Sequence, residues 1–241
     1  MYLSRIAYSP HHRAEMVKAL TAHQRNLFNE HEMIWQCMPQ DQDAHRDFLY
    51  RREDSSRQPF YYLLSARKPE NWPEFLQVQS KEFAPKLEPG GHYGFSLRAN
   101  AVVTRKVDDS SKRRIRRGIV EAKVDEYKQR FPDPQDRPPS AVIHHEAGEQ
   151  WLIKQGEKHG FRPLVLSVSN HQYVAYQKKG SGAQRQFASL DFDGVLEVTD
   201  PQIFTEAMFT GRLNQQQGAP IVRGLGRSMA YGCGLLLIRK A

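Results

Sequence analysis

Apolar and polar residues along this chain fall into short blocks whose period changes in a recurring order. Met1 to Ala7 reads as a strand, ended by Ser9-Pro10. Residues 11–30 place Met16, Val17, Leu20, Leu27 and Phe28 on one face of a helix. Trp35 to Asp43 has no clear period and carries Pro39, which predicts a loop. Asp47 to Arg52 and Phe60 to Ala66 read as two antiparallel strands joined across the polar segment Glu53 to Gln58. A short helix is expected near Trp72-Pro73, and Leu76 to Phe83 alternates as a fourth strand. That order, β-α-β-β-α-β, is the ferredoxin-like arrangement.

Pro85, Pro89, Gly90 and Gly91 punctuate its end and place a boundary near residue 90. The second half repeats the order with longer insertions. Tyr93 to Thr104 reads as a strand, 105–140 as a basic and then proline-rich insertion, and Glu146 to His159 as a helix. Val165 to Gln177 and Gln186 to Val198 form a strand pair, Pro201 to Leu213 a helix, and Leu235 to Ile238 a final strand. The predicted fold class is α+β: two tandem ferredoxin-like (RRM-like, βαββαβ) domains, 1–90 and 91–241, with a C-terminal glycine-rich loop in the second. The repeat is one of element order and is not visible as sequence identity.

Charge changes this picture from a fold to a class of partner. Thirty-five Lys and Arg against 27 Asp and Glu give a formal charge of +8 over 241 residues, a surplus that points to nucleic acid or another anionic surface. The two cysteines, Cys37 and Cys233, allow at most one disulfide, which fits a reducing compartment and excludes a disulfide scaffold. No signal peptide opens the sequence, and no apolar run of about 18 residues crosses a membrane. A cytoplasmic location without membrane partners is expected.

The candidate chemistry centres on Gly224-Leu-Gly226-Arg-Ser-Met-Ala-Tyr-Gly232-Cys-Gly234, followed by Leu235-Leu-Leu-Ile238. Glycines admit positive φ and close backbone approach, and Arg223 and Arg227 add charge at the loop's edge. Backbone N–H groups with arginines can cradle phosphates. The dinucleotide fingerprint needs a strand before its glycines and a helix after them, whereas here a strand follows, and no Walker lysine is present. A polymer laying its backbone across the loop fits better.

Other residues offer chemistry with a plainer alternative beside it. His23 falls just off the apolar face of the first helix, a border suited either to a proton-exchanging imidazole or to a histidine that finishes the core edge. Arg105, Lys106, Lys112, Arg113, Arg114, Arg116 and Arg117 make seven basic residues within thirteen. Such a run is either a solvated loop or an arm that grips the phosphates of an RNA stem. The facing surfaces of the two domains, with the glycine loop, are expected to form a basic cleft, and Arg98 would sit on a strand beside it, open equally to RNA contact and to a structural ion pair. His11-His12 and His144-His145-Glu146 lack convergent metal-ligand spacing, so no metal or other cofactor is expected. Tyr61-Tyr62, Phe95 and Tyr176 could stack bases, although core packing is the more ordinary use.

The glycine loop, with its five residues between two Gly-x-Gly pairs, resembles that of CRISPR-associated repeat-processing proteins. Met1-Tyr-Leu-Ser-Arg-Ile6, Asp47-Phe-Leu49 and Leu97-Arg-Ala-Asn100 resemble blocks of one branch, the CasE endoribonucleases of type I-E systems. That resemblance implies a catalytic histidine on the first helix, matched here by His23-Gln24. It implies metal-independent cleavage of repeat RNA at the base of its hairpin, leaving a 2′,3′-cyclic phosphate and a 5′-OH. It further implies that the product stays bound in Cascade beside other subunits, especially the backbone subunit. RNA contacts are then expected at Arg98, the basic run, Arg223, Gly224, Gly226, Arg227, Gly232 and Gly234. Leu20 stands where some relatives have tyrosine and Met229 where many have lysine, with Arg227 the candidate for the missing charge. These two departures favour the alternative of a non-catalytic hairpin-binding subunit.

Overall fold

The computed structural model describes residues 1–26, 28–40, 46–54, 58–106, 114–177, 184–213, 220–221 and 224–241. The side chains of residues 23–25, 28, 106, 212–213 and 220–221 lie outside that description.

The N-terminal unit is built from β1 (Tyr2–Tyr8), α1 (Arg13–Arg25), α2 (Phe28–Gln36), β2 (Phe48–Glu53), β3 (Phe60–Ser65) and β4 (Leu76–Glu82). Its antiparallel sheet has the order β2-β3-β1-β4. Strand alternation sends Ile6, Tyr8, Phe48, Tyr50, Tyr61 and Leu63 to one face, where Met33, Ile34 and Cys37 close over them. The opposite face sends Leu49 and Leu64 into a larger core shared with the second unit.

That second unit holds β5 (His92–Ala99), a ribbon of β6 (Val102–Lys106) and β7 (Arg114–Gly118), and the helices α3 (Ile119–Arg130) and α4 (Ser140–His159). The long hairpin β8 (Phe161–Gln177) and β9 (Gln184–Val198) follows, then α5 (Pro201–Thr205), the short strands β10 (Arg212–Leu213) and β11 (Pro220–Ile221), and β12 (Leu236–Lys240). The main sheet runs β12-β5-β9-β8, all antiparallel. Both sheets thus place their first and third strands at the centre, the ferredoxin-like order twice over.

Several expected elements differ. The helix over 11–30 is broken at Asn26, whose φ of −155° and ψ of 117° leave the helical region. The loop expected from Trp35 begins later, because α2 runs through Gln36 to bury Met33 and Ile34; residues 41–45 are outside the description. Trp72-Pro73 forms turns rather than a helix, with the Leu76 N–H donating to the Pro73 carbonyl. The single strand over 93–104 is two, parted where Asn100 bridges to Arg227. The 105–140 insertion contains β7 and α3 instead of loop alone. The helix expected over 201–213 is α5 followed by a π-type turn at Glu206–Thr210, stopped at Gly211 with φ 67°.

Candidate functional site

The end of α1 is fastened to the second unit. Asn26 leaves the helix while its N–H still donates to the Ala22 carbonyl at 3.1 Å, and Asn29 Nδ2 donates to the same carbonyl at 2.7 Å. The Asn26 side chain is thereby free to imitate a strand neighbour. Its Nδ2 donates to the Gln177 carbonyl at 2.8 Å, and the Gln177 N–H donates to its Oδ1 at 3.2 Å. Gln177 is the last residue of β8. His23 lies about one turn before Asn26 on α1, so this amide sets where its backbone sits; the His23 side chain is outside the description.

Beside Gln177, Tyr176 packs on Tyr231 of the glycine loop with ring centroids 4.2 Å apart, and Phe187 of β9 joins them at 5.9 Å from Tyr231. A cleft of about 430 Å³ opens here, walled by Arg52 and Asp54 from the first unit and by Arg98, Tyr173, Tyr231 and Gly232 from the second. Sequence reasoning missed Arg52. It lies on β2, donating to Glu30 at 2.7 Å and to Asp54 at 2.8 Å. Burial raises the Glu30 carboxyl above its ordinary value despite the Arg52 charge beside it. Arg98 realises the ion-pair alternative, making a bidentate contact with Asp191 on β9 while lining the cleft.

The glycine loop is stitched into the seam between the units. Leu225 N–H donates to the Gly234 carbonyl at 3.0 Å, Arg227 N–H to Asn100 at 3.0 Å, and Gly234 N–H to Arg98 at 2.8 Å. Asn100 Nδ2 donates to Ser228 Oγ at 2.7 Å, and Tyr50 Oη to the Ala230 carbonyl at 3.1 Å. Gly224 has φ 57°, and a Cβ there would stand 2.2 Å from the Gly234 oxygen and 2.7 Å from Leu49. At Gly226, φ is 83° and the Asn100 oxygen would be 2.7 Å away. The glycines permit backbone to approach backbone. Met229 starts a single 3₁₀ turn through Tyr231, and its Sδ accepts from Arg46 Nη2 at 3.8 Å.

Gly224, Gly226 and Arg227 line a second hollow of about 580 Å³ with Lys158 and His159, which α4 supplies from its C-terminal end. Lys158 and His159 were not found from sequence, because nothing in a helix's own pattern reveals which distant loop its end faces. Arg223, Lys112 and Arg113 lie outside the described residues. In the β6–β7 ribbon, Lys106 pairs in register with Arg114 and Thr104 with Arg116, which puts exposed Arg114 and Arg116 on one face. Arg105 and Arg117 share the other, where Arg117 pairs with Asp125 at 2.7 Å. The structure therefore brings Arg98 and Gly232 to one hollow, Gly224, Gly226 and Arg227 to another, and Arg105, Arg114, Arg116 and Arg117 to a ribbon.

Of the candidate stacking aromatics, Tyr61 and Phe95 are buried in the cores. Tyr62 lies half-buried on the helix-free face of the first sheet, and Tyr176 is engaged with Tyr231. Among the described residues no three His, Cys, Asp or Glu side chains stand together as a metal site. His144 meets His171, ring to ring, at 4.7 Å instead.

Comparison with known proteins gives this geometry relatives. A family model described as CRISPR associated protein matches residues 1–212. The CRISPR system Cascade subunit CasE of Escherichia coli (strain K12) is 24% identical over 214 residues, covering 88% of this chain and 91% of the relative. The fold is similar to Thermus thermophilus Cse3 bound to an RNA representing a pre-cleavage complex, at a TM-score of 0.67 and 21% identity, covering 99% and 98% of the two chains. It is also similar to Cas6e of Escherichia coli K-12, at a TM-score of 0.59 and 21% identity over all of both chains.

Proposed function

The chain belongs to the CRISPR-associated protein family, and on that premise we propose that it is a metal-independent endoribonuclease of CRISPR precursor RNA. It cuts within the repeat, at the base of the repeat hairpin. The ribose 2′-OH attacks the adjacent phosphorus as its proton leaves, the bond to the 5′-oxygen breaks, and that oxygen takes up a proton. Mature crRNA with a 2′,3′-cyclic phosphate results, and the downstream fragment carries a 5′-OH.

His23 moves one of those protons, as base toward the 2′-OH or as acid toward the leaving oxygen; such catalysis typically contributes about 10²–10⁴-fold. Cations beside the phosphate stabilise the charge of the transition state; Arg52, in the cleft beside the end of α1, is placed for this, while Arg227 and Lys158 at the second hollow are suited to holding RNA phosphates farther along the strand. The arginines of the β6–β7 ribbon hold the stem by its phosphates. The protein keeps its product and joins the other Cascade subunits, the backbone subunit above all, in the cytoplasm. Among the described residues no helix is long and apolar enough to cross a membrane.

Two observations together support this reading: the family match spans most of the chain, and the likeness to a Cse3 structure bound to RNA spans nearly all of it. Cleavage of the host's repeat RNA in EDTA tests it, with RNA binding recorded in the same samples. Wild type is expected to cut, and His23→Ala to bind equally while cutting about 10²–10⁴-fold more slowly. Equal rates would overturn the assignment of His23. A second reading, a hairpin-holding subunit without catalysis, is favoured by Leu20 and by Met229, whose thioether sits against Arg46. Tight binding by both proteins with no cutting by either would select it.

A further inference from the structure

The first sheet carries its helices on one face only, and the other face is covered only in part. Register across β2, β3, β1 and β4 sets out three rows on that helix-free face. The row Leu49, Leu64, Leu3 and Lys81 begins with two leucines buried against the second unit. Beyond it comes the row Arg51, Tyr62, Arg5 and Gln79, and then Glu53, Phe60, Ala7 and Gln77. In these outer rows Arg5, Gln77 and Gln79 are exposed, as Lys81 is beside them. Phe60 and Tyr62 are half-buried, packed edge to face with centroids 5.3 Å apart, and the Arg5 guanidinium lies 4.6 Å over the Phe60 ring. A hollow of about 280 Å³ opens among Leu3, Arg5, Tyr62, Gln79 and Lys81.

We propose that this hollow is a second RNA contact, taking an unpaired nucleotide from the single strand that flanks the hairpin. The inference rests on the RNA-binding reading above and adds a site on the far side of the sheet from α1. A base needs an aromatic face, and the central strand of a four-stranded sheet is where such faces stack single-stranded bases. Tyr62 supplies the ring. The Gln79 amide carries both donor and acceptor for a base edge. Arg5 and Lys81 supply charge for the phosphates, while the neighbouring acid Glu53 is already paired with Arg51 at 2.6 Å. The hollow falls just short of the roughly 300–1,000 Å³ usual for small-molecule sites, a size that suits one nucleotide. Paired bases of a stem cannot reach it, because their faces are already stacked.

The test uses the full chain and fluorescein-labelled host repeat RNAs: the bare hairpin and the hairpin with its upstream single strand, each with a 2′-deoxy substitution at the cleavage site. Wild type is expected to bind the flanked hairpin more tightly. Tyr62→Ala is expected to lose that gain, about tenfold, with bare-hairpin affinity unchanged. Because Tyr62 also touches the shared core, the exposed pair Arg5→Glu/Lys81→Glu gives an independent variant. It should lose the same gain and flatten the salt dependence of flanked binding. If the flank adds nothing in wild type, or the variants weaken both RNAs equally, this contact is overturned while the cleavage reading stands. If wild type binds no hairpin, the cleavage reading falls and this contact with it. If the double variant binds both RNAs normally but fails to join the Cascade subunits, the face docks protein and the RNA contact is wrong.

Discussion

Arg98 and Asp191 lie opposite one another across β5 and β9, with Nε 2.7 Å from Oδ1 and Nη2 2.8 Å from Oδ2. The planar guanidinium meets the carboxylate by both edges, and Asn170 Nδ2 adds a third bond at 2.8 Å. Asn170 reaches it from an irregular step in β8, where its φ is 51°. Burial alone would raise the Asp191 carboxyl, but hydrogen bonds from Arg98 and Asn170 outweigh it and hold the group below its ordinary range.

Arg98→Ala should therefore strand a carboxylate that is only 5% exposed. A loss of about 3 kcal/mol is expected in urea unfolding, the lower end for a broken buried pair because Arg98 itself is partly solvated. The pH dependence has a definite sign. Asp191 binds protons less readily folded than unfolded, so its contribution is present above the unfolded value of about 3.9 and is lost as pH falls through the folded one. Asp191→Asn should flatten that acid limb, measured as unfolding midpoint against pH.

Substituting the loop glycines by alanine should give a graded series in thermal unfolding. At Gly232 the nearest heavy atom to a new Cβ would be 3.5 Å away, so only the left-handed backbone is penalised, by about 1–2 kcal/mol. Gly226→Ala should cost more, since the Asn100 oxygen lies 2.7 Å from its Cβ position. Gly224→Ala should cost most, with the Gly234 oxygen at 2.2 Å. An equal loss at all three would contradict this account of why the loop is glycine-rich.

Cys37 and Cys233 are both buried free thiols, and burial pushes each up to about 12. Neither should react with Ellman's reagent at pH 8 until the chain unfolds, when both should titrate. Between the unfolded thiol value of about 8.5 and about 12, the folded state keeps protons that the unfolded state has lost. Stability therefore falls as pH rises through that window. Replacing Cys37 by alanine should lessen the alkaline slope of a pH-dependent melt.

Asn26→Ala removes both bonds that fasten the end of α1 to Gln177. Repeat cleavage should slow by roughly 10–100-fold, because a displacement of about 1 Å at a reacting group can cost that much. Affinity for the bare hairpin should hold, which separates positioning from binding. Single-turnover cleavage alongside a binding titration reads both.

The strands of the first sheet were legible because β1, β2 and β3 are short runs rich in apolar and aromatic residues, bounded by Ser9-Pro10 and by polar segments. The break at Asn26 was not legible. Asparagine is tolerated in a helix, and the partner that draws it out, Gln177, lies on a strand far along the chain. In the run from Arg105 to Arg117 the density of charge hid a strand, since β7 exposes Arg114 through Arg117 and so shows little apolar alternation. At the site, the glycines and the blocks around Leu49 and Asn100 stood out in sequence, and these prove to be the positions that grip one another at the seam. The Arg52–Glu30 pair, and the placing of Lys158 and His159 at the second hollow, could not be read so. Each depends on which surfaces meet, and local periodicity carries no such information.

Strand β12 has a consequence for how the protein is made. It pairs with β5, and Leu235 and Leu236 close the core that also takes Leu49 and Leu64 from the first sheet. A ribosome delivers those leucines long after the strands they cover. Until then the nascent chain holds a shared core lacking Leu235 and Leu236 and a second sheet open at β5, a state prone to pairing with other chains. Synthesis itself thus sets a period of vulnerability, which ends when the glycine loop and β12 emerge and seat together.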